Sequence, residues 1–107
     1  MITVRFKKAA DDSFMGFRVS GHAGWAASGK DIVCAAVSAT VWQTANGLVK
    51  FADAKVTQDK KGVYCIIPVP SESSHVLVQS LYDCLSEMQK QYSDYLDVEI
   101  VGRKDGI

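Results

Sequence analysis

The run from Ile32 and Val33 through Ala35, Ala36, Val37, Ala39, Val41 and Trp42 to Ala45, Leu48 and Val49 is apolar around most of a helical circumference. Such a helix, expected over residues 32–49, has to find cover, and its small residues Ala35, Ala36 and Ala39 let it lie close against a sheet. We expect it to be the central core element. Asp31, a favoured N-cap residue, stands directly before it, which places the expected helix start there.

The sheet is legible on both sides of this helix. Ile2, Val4 and Phe6 alternate with Thr3, Arg5 and Lys7, the period of a half-buried strand. After the turn at Ala10-Asp11-Asp12-Ser13, Met15, Phe17 and Val19 alternate with Gly16, Arg18 and Ser20, so the two strands read as an antiparallel hairpin. A second hairpin is expected from a weak, charged edge arm over residues 55–60, a turn at Lys60-Lys61-Gly62, and an arm from Val63 to Val69. Pro70 and Ser71-Glu72-Ser73-Ser74 look like a helix entry, and Val78, Leu81, Leu85, Met88 and Tyr92 then recur at helical spacing to about Tyr95. Residues 97–101 read as a closing strand and residues 102–107 as a mobile tail. The expected fold class is therefore α+β, in the order ββαββαβ, with a mainly antiparallel sheet and two helices packed on it.

With 107 residues the chain is read as one domain over 1–107, large enough to bury a core of its own. Its 12 Lys and Arg balance its 12 Asp and Glu, so no net basic field exists to hold nucleic acid phosphates. Unbroken apolar runs fall far short of the roughly 20 residues of a membrane helix, so no membrane partner is expected. Cys34, Cys65 and Cys84 are widely spaced and odd in number, which favours the cell interior over a disulfide scaffold. Together with His22 and His75 they lack the short ligand pairs of zinc sites, so neither a metal nor another cofactor is expected. Cys65 and Cys84 read as packing residues, and His75 as surface.

The chemistry concentrates between Gly21 and Cys34. A strand ends at His22, a loop holding Gly24 and Gly29 follows, and a helix opens just before Cys34. Glycine supplies the conformations by which the loop doubles back, and this would bring imidazole and thiol together as a base and nucleophile. At about the third helical position Cys34 would feel the positive end of the macrodipole, which favours a thiolate, while unpaired N–H groups nearby could hold an oxyanion. The plainer alternatives stay open on the residues alone: Cys34 as a core residue, His22 as a strand-end cap, and Asp31 as a helix cap and nothing more.

The run Gly21-His22-Ala23-Gly24-Trp25-Ala26-Ala27-Ser28-Gly29-Lys30-Asp31-Ile32-Val33-Cys34-Ala35-Ala36-Val37-Ser38 resembles the signature of the ribosomal-processing cysteine protease family, Prp. The resemblance covers essentially the whole chain. It implies a cytoplasmic, homodimeric endopeptidase that removes a short N-terminal extension from a large-subunit ribosomal protein precursor, with Cys34 as nucleophile and His22 as its partner. Asp31 matches the acidic position, as an orienting group or a cap. Trp25, Gly21, Gly24, Gly29 and Ser38 fall where substrate would be met, Trp25 either walling the apolar residue before the cut or packing the loop down. Where an acidic residue often occurs in the family, this chain has Ala27. The competing reading is a non-enzymatic module that clamps the extension by strand addition at the edge near residues 55–60.

Overall fold

The computed structural model describes residues 1–21 and 28–102, and only the backbone for residues 28–31. The order is β1 (Ile2–Lys8), β2 (Phe14–Ser20), α1 (Ser28–Ala52), β3 (Lys55–Gln58), β4 (Gly62–Ile66), α2 (Glu72–Gln91) and β5 (Leu96–Val101), which is the ββαββαβ order expected. The strands form one sheet arranged β3-β4-β2-β1-β5.

Alternation sets the register. Val4 pairs with Val19 and Phe6 with Phe17, while Val19 pairs with Val63 and Phe17 with Cys65, so each apolar row lies on one face of three neighbouring strands. The chain reverses between β1 and β2 where Asp12 takes a φ of 73° and the Asp11 carboxylate accepts from the Ser13 N–H at 3.0 Å. In the β3–β4 turn the Asp59 carboxylate accepts from the N–H groups of Lys61 at 2.8 Å and Gly62 at 3.1 Å. The sheet is mixed: its neighbours run antiparallel except for β5, which runs parallel to β1 with Ile2 opposite Leu96.

Both helices cover the same face. α2 begins at a capping box in which Ser71 accepts from the Ser74 N–H and Ser74 accepts from the Ser71 N–H, and it buries Val78, Leu81 and Leu85. It ends at Gln91, earlier than its apolar spacing suggested, because the chain turns at Tyr92, whose carbonyl accepts from the N–H groups of Tyr95 and Leu96 before β5 starts. Exposed pairs decorate its other side, Gln79 with Asp83 at 2.9 Å and Lys90 with Glu87 at 3.0 Å. The core centres on Phe6, whose ring meets Phe14, Phe17 and Tyr82 at centroid distances of 6.1, 5.8 and 5.3 Å.

α1 departs from expectation in three ways. It begins at Ser28, about one turn before Asp31, so Asp31 is its fourth residue and not its N-cap. It buries one stripe, Val33, Val37, Val41, Ala45 and Leu48, and leaves Ile32, Ala35, Ala36 and Ala39 exposed. The reason is architectural: in two layers each helix has cover on one side only. Third, a window within Ile32–Ala52 reaches a mean hydropathy of 1.4, long and apolar enough to cross a membrane by length and composition. Counting unbroken runs missed this, because Thr40, Gln43, Thr44 and Asn46 interrupt the runs without lowering the average much. Its buried stripe serves the domain's own core.

Candidate active site

At the end of β2 the backbone itself explains Gly21. Its φ is 76°, and a Cβ there would stand 2.2 Å from the carbonyl oxygen of Met1, inside any real contact distance. Glycine is thus required by the backbone at the position that hands the chain to His22. Gly21→Ala should lower stability by more than about 1 kcal/mol in urea unfolding, since Ala at positive φ is strained and the close approach must also open. A smaller loss would mean that the strand end relaxes freely.

His22, Gly24 and Trp25 lie outside the described residues, as does the rest of the loop over 22–27; so does the tail after Gly102. Gly29, expected in that loop, falls within the first turn of α1 together with Asp31. Cys34 is consequently the seventh helical residue and not about the third. The unpaired N–H groups of a helix belong to its first four residues, here Ser28 to Asp31, and the macrodipole field fades beyond the first turn. Cys34 stands past both. Helical side chains lean back toward the N-terminus, so the thiol still leans in the direction of those donors.

Cys34 is half-buried, its side chain set against the core cluster beside buried Val33 and Val37. Ser38 follows one turn later on the same flank, also half-buried. The other two cysteines differ in kind. Cys65 is buried in β4, and desolvation pushes its thiol up to about 11, so it stays protonated and inert. Cys84 is exposed on α2, which corrects its reading as a packing residue. His75 is exposed as expected, its ring 5.7 Å from that of Phe14. A cleft of about 730 Å³ lies elsewhere, walled by Met15, Tyr64, Ile66 and Pro68 at the end of the sheet away from Ser20. Among the described residues no three His, Cys, Asp or Glu side chains stand together as a metal site would require.

The domain, the half-buried Cys34 and the glycine that delivers the chain to His22 can be set beside known proteins. The family model described as "Cysteine protease Prp" matches residues 1–97. This chain belongs to the Prp cysteine protease family. Like the rest of the Prp family, it is therefore a peptide hydrolase. The ribosomal processing cysteine protease Prp of Bacillus subtilis (strain 168) is 26% identical over 107 residues, covering 92% of this chain and 96% of the relative. The essential ribosomal processing protease Prp from S. aureus, solved in complex with a substrate peptide, superposes with a TM-score of 0.78 at 19% identity, over 94% of this chain and 100% of that one. Solved in complex with a covalently linked product peptide, it superposes with a TM-score of 0.79 at 22% identity over the same shares. At those identities the two structures establish the fold.

Proposed function

We propose that this protein is the cytoplasmic endopeptidase that trims the N-terminal extension of a large-subunit ribosomal protein precursor, with Cys34 as nucleophile and His22 as its acid and base. The observation that carries the assignment to Cys34 is the contrast among the cysteines: Cys65 is buried, Cys84 is on the solvent side of α2, and Cys34 alone is half-open on the segment that carries the Prp signature. The names of the relatives support the substrate class, since those from B. subtilis and S. aureus are ribosomal processing proteases. The covalently linked product peptide on the S. aureus protein is what a nucleophile of this kind would leave.

In this mechanism the Cys34 thiolate attacks the carbonyl at the end of the extension, and the tetrahedral adduct collapses as protonated His22 gives its proton to the departing amine. The new N-terminus leaves and a thioester remains. Neutral His22 then takes a proton from water, the hydroxide oxygen adds to the thioester carbon, and collapse releases the extension as a carboxylic acid and regenerates the thiolate. His22 is the base that accepts the Cys34 proton before the attack. Asp31, in the first turn, orients His22, and Trp25, Gly24, Gly29 and Ser38 line the path of the peptide. The decisive experiment incubates the precursor with catalytic amounts of the protein and weighs the products by mass spectrometry. Loss of one N-terminal segment at many turnovers per molecule is expected. A stoichiometric complex with intact precursor would instead establish the clamp.

A homodimer belongs to the same proposal, and the outer face of α1 supports it. Ile32 and Phe51 are 64% and 66% exposed, and Ala35, Ala36 and Ala39 between them would let a second helix approach closely. A second copy covers this face. Sedimentation should give a dimer for the parent and a monomer for Ala39→Glu; a dimer unmoved by that charge would place the seam elsewhere.

A further inference from the structure

The geometry points to the free edge of β3 as a docking strand for the substrate's extension, pairing through the backbone groups of Val56 and Gln58; this rests on the protease reading above. β3 ends the sheet on one side, with β4 as its only neighbour among the described residues. The Asp59 N–H donates to the Gly62 carbonyl at 2.9 Å, which fixes Asp59 and Gly62 as a hydrogen-bonded pair. In an antiparallel ladder bonded and non-bonded pairs alternate. Thr57 opposite Tyr64 and Lys55 opposite Ile66 are therefore the bonded pairs, while Val56 opposite Cys65 and Gln58 opposite Val63 are not. The N–H and C=O groups of Val56 and Gln58 consequently point away from β4, toward open solvent, and an added strand would find them ready.

Position selects the occupant. α1 lies over the β3 side of the sheet and α2 over the β5 side, so only the β3 edge runs beside the helix that carries Cys34. The Ala54 N–H donates to the Leu48 carbonyl at 3.1 Å, closing the tight reversal from which β3 runs back along α1. Val56 and Gln58 also share the sheet face that α1 covers, since they pair with buried Cys65 and Val63. At 1.5 Å per helical residue Cys34 is about 27 Å from Ala52, and at 3.3 Å per strand residue Gln58 is about 10 Å from Lys55. The difference, at least about 17 Å before the sideways gap between helix and sheet edge is added, takes roughly five or more extended residues to span. The docked residues thus lie at least about five from the bond that is cut. Main-chain pairing aligns the extension, and the fixed separation from Cys34 sets where the cut falls.

The test uses the full chain and the extended precursor. In Cys34→Ala protein, amide exchange at Val56 and Gln58 should be fast alone and slow at least tenfold when the precursor is added, while Thr57 and Lys55 stay slow throughout. In the parent background Gln58→Pro removes one outward N–H and leaves the bonds to β4 in place, as edge strands allow. It should keep the parent melting temperature and the rate of Cys34 alkylation by iodoacetamide, yet lose at least tenfold in kcat/KM, whereas Gln58→Ala, which keeps the N–H, should cleave normally. Unchanged exchange at Val56 and Gln58 on adding precursor overturns the proposal, as does equal loss in both Gln58 variants. Protection that grows with protein concentration without precursor overturns it too, by assigning the edge to a second copy. Cleavage with no protection removes the docking strand and leaves the protease intact; protection without cleavage does the reverse.

Discussion

Cys34→Ala is expected to reduce precursor cleavage by at least about a thousandfold while leaving the fold in place, because loss of the nucleophile removes the covalent path and an alanine cannot substitute for it. The fold survives for reasons visible at the position. Cys34 is half-buried, so truncation opens no sealed cavity, and alanine is the residue best suited to a helix interior. Thermal unfolding within a few degrees of the parent would therefore accompany the loss. A Cys84→Ser background is needed for thiol labelling, since exposed Cys84 would react alongside. In that background iodoacetamide should modify a single residue, and replacement of His22 by Ala should slow that modification near neutrality. Cleavage persisting within tenfold of the parent in Cys34→Ala would end the assignment of the nucleophile.

Phe6→Ala should be among the most destabilising single truncations in the chain, at about 3–5 kcal/mol. Phe6 is 0% exposed on the interior strand β1, and its ring stands at 89° to that of Tyr82 on α2 while also meeting Phe14 and Phe17 on β2. Removing it empties the place where hairpin and second helix share aromatic side chains, and edge-to-face pairs add to the loss of buried area. Against a total stability of about 5–15 kcal/mol for a domain of this size, the variant would sit near the threshold of unfolding. Urea titration reads the effect directly. A loss below about 1 kcal/mol would show that the surrounding rings collapse into the space, and Phe6→Leu should fall between the parent and Phe6→Ala.

The strands were legible because one face of the sheet is covered and the other is not, so Val4, Phe6, Phe17 and Val19 had to alternate with Thr3, Arg5, Arg18 and Ser20. The entry of α2 was legible because Ser71 and Ser74 form a local motif that needs no distant partner. Three features were beyond local reading. β5 pairs parallel with β1, a choice made by the crossover through α2 and not by any pattern within residues 96–101. α1 starts at Ser28 because a helix already anchored by Val33 and Val37 extends back through Gly29 and Lys30 despite the stronger capping signal at Asp31. Cys84 is exposed because it flanks the Leu81–Leu85 stripe without joining it, a difference of one helical position. The active-site assignment leaned on the motif from Gly21 to Ser38, since a cysteine and a histidine twelve residues apart have no necessary meeting point on spacing alone.

The parallel register of β1 and β5 joins Ile2 to Leu96, partners 94 positions apart. During synthesis at about 5–20 residues per second, β1 therefore waits roughly 5–20 s with one flank of its ladder open, held meanwhile only by its hairpin mate. Closure of that seam comes late and links the earliest and latest translated strands, so a nascent chain stalled anywhere before residue 96 exposes a sticky ribbon to chaperones.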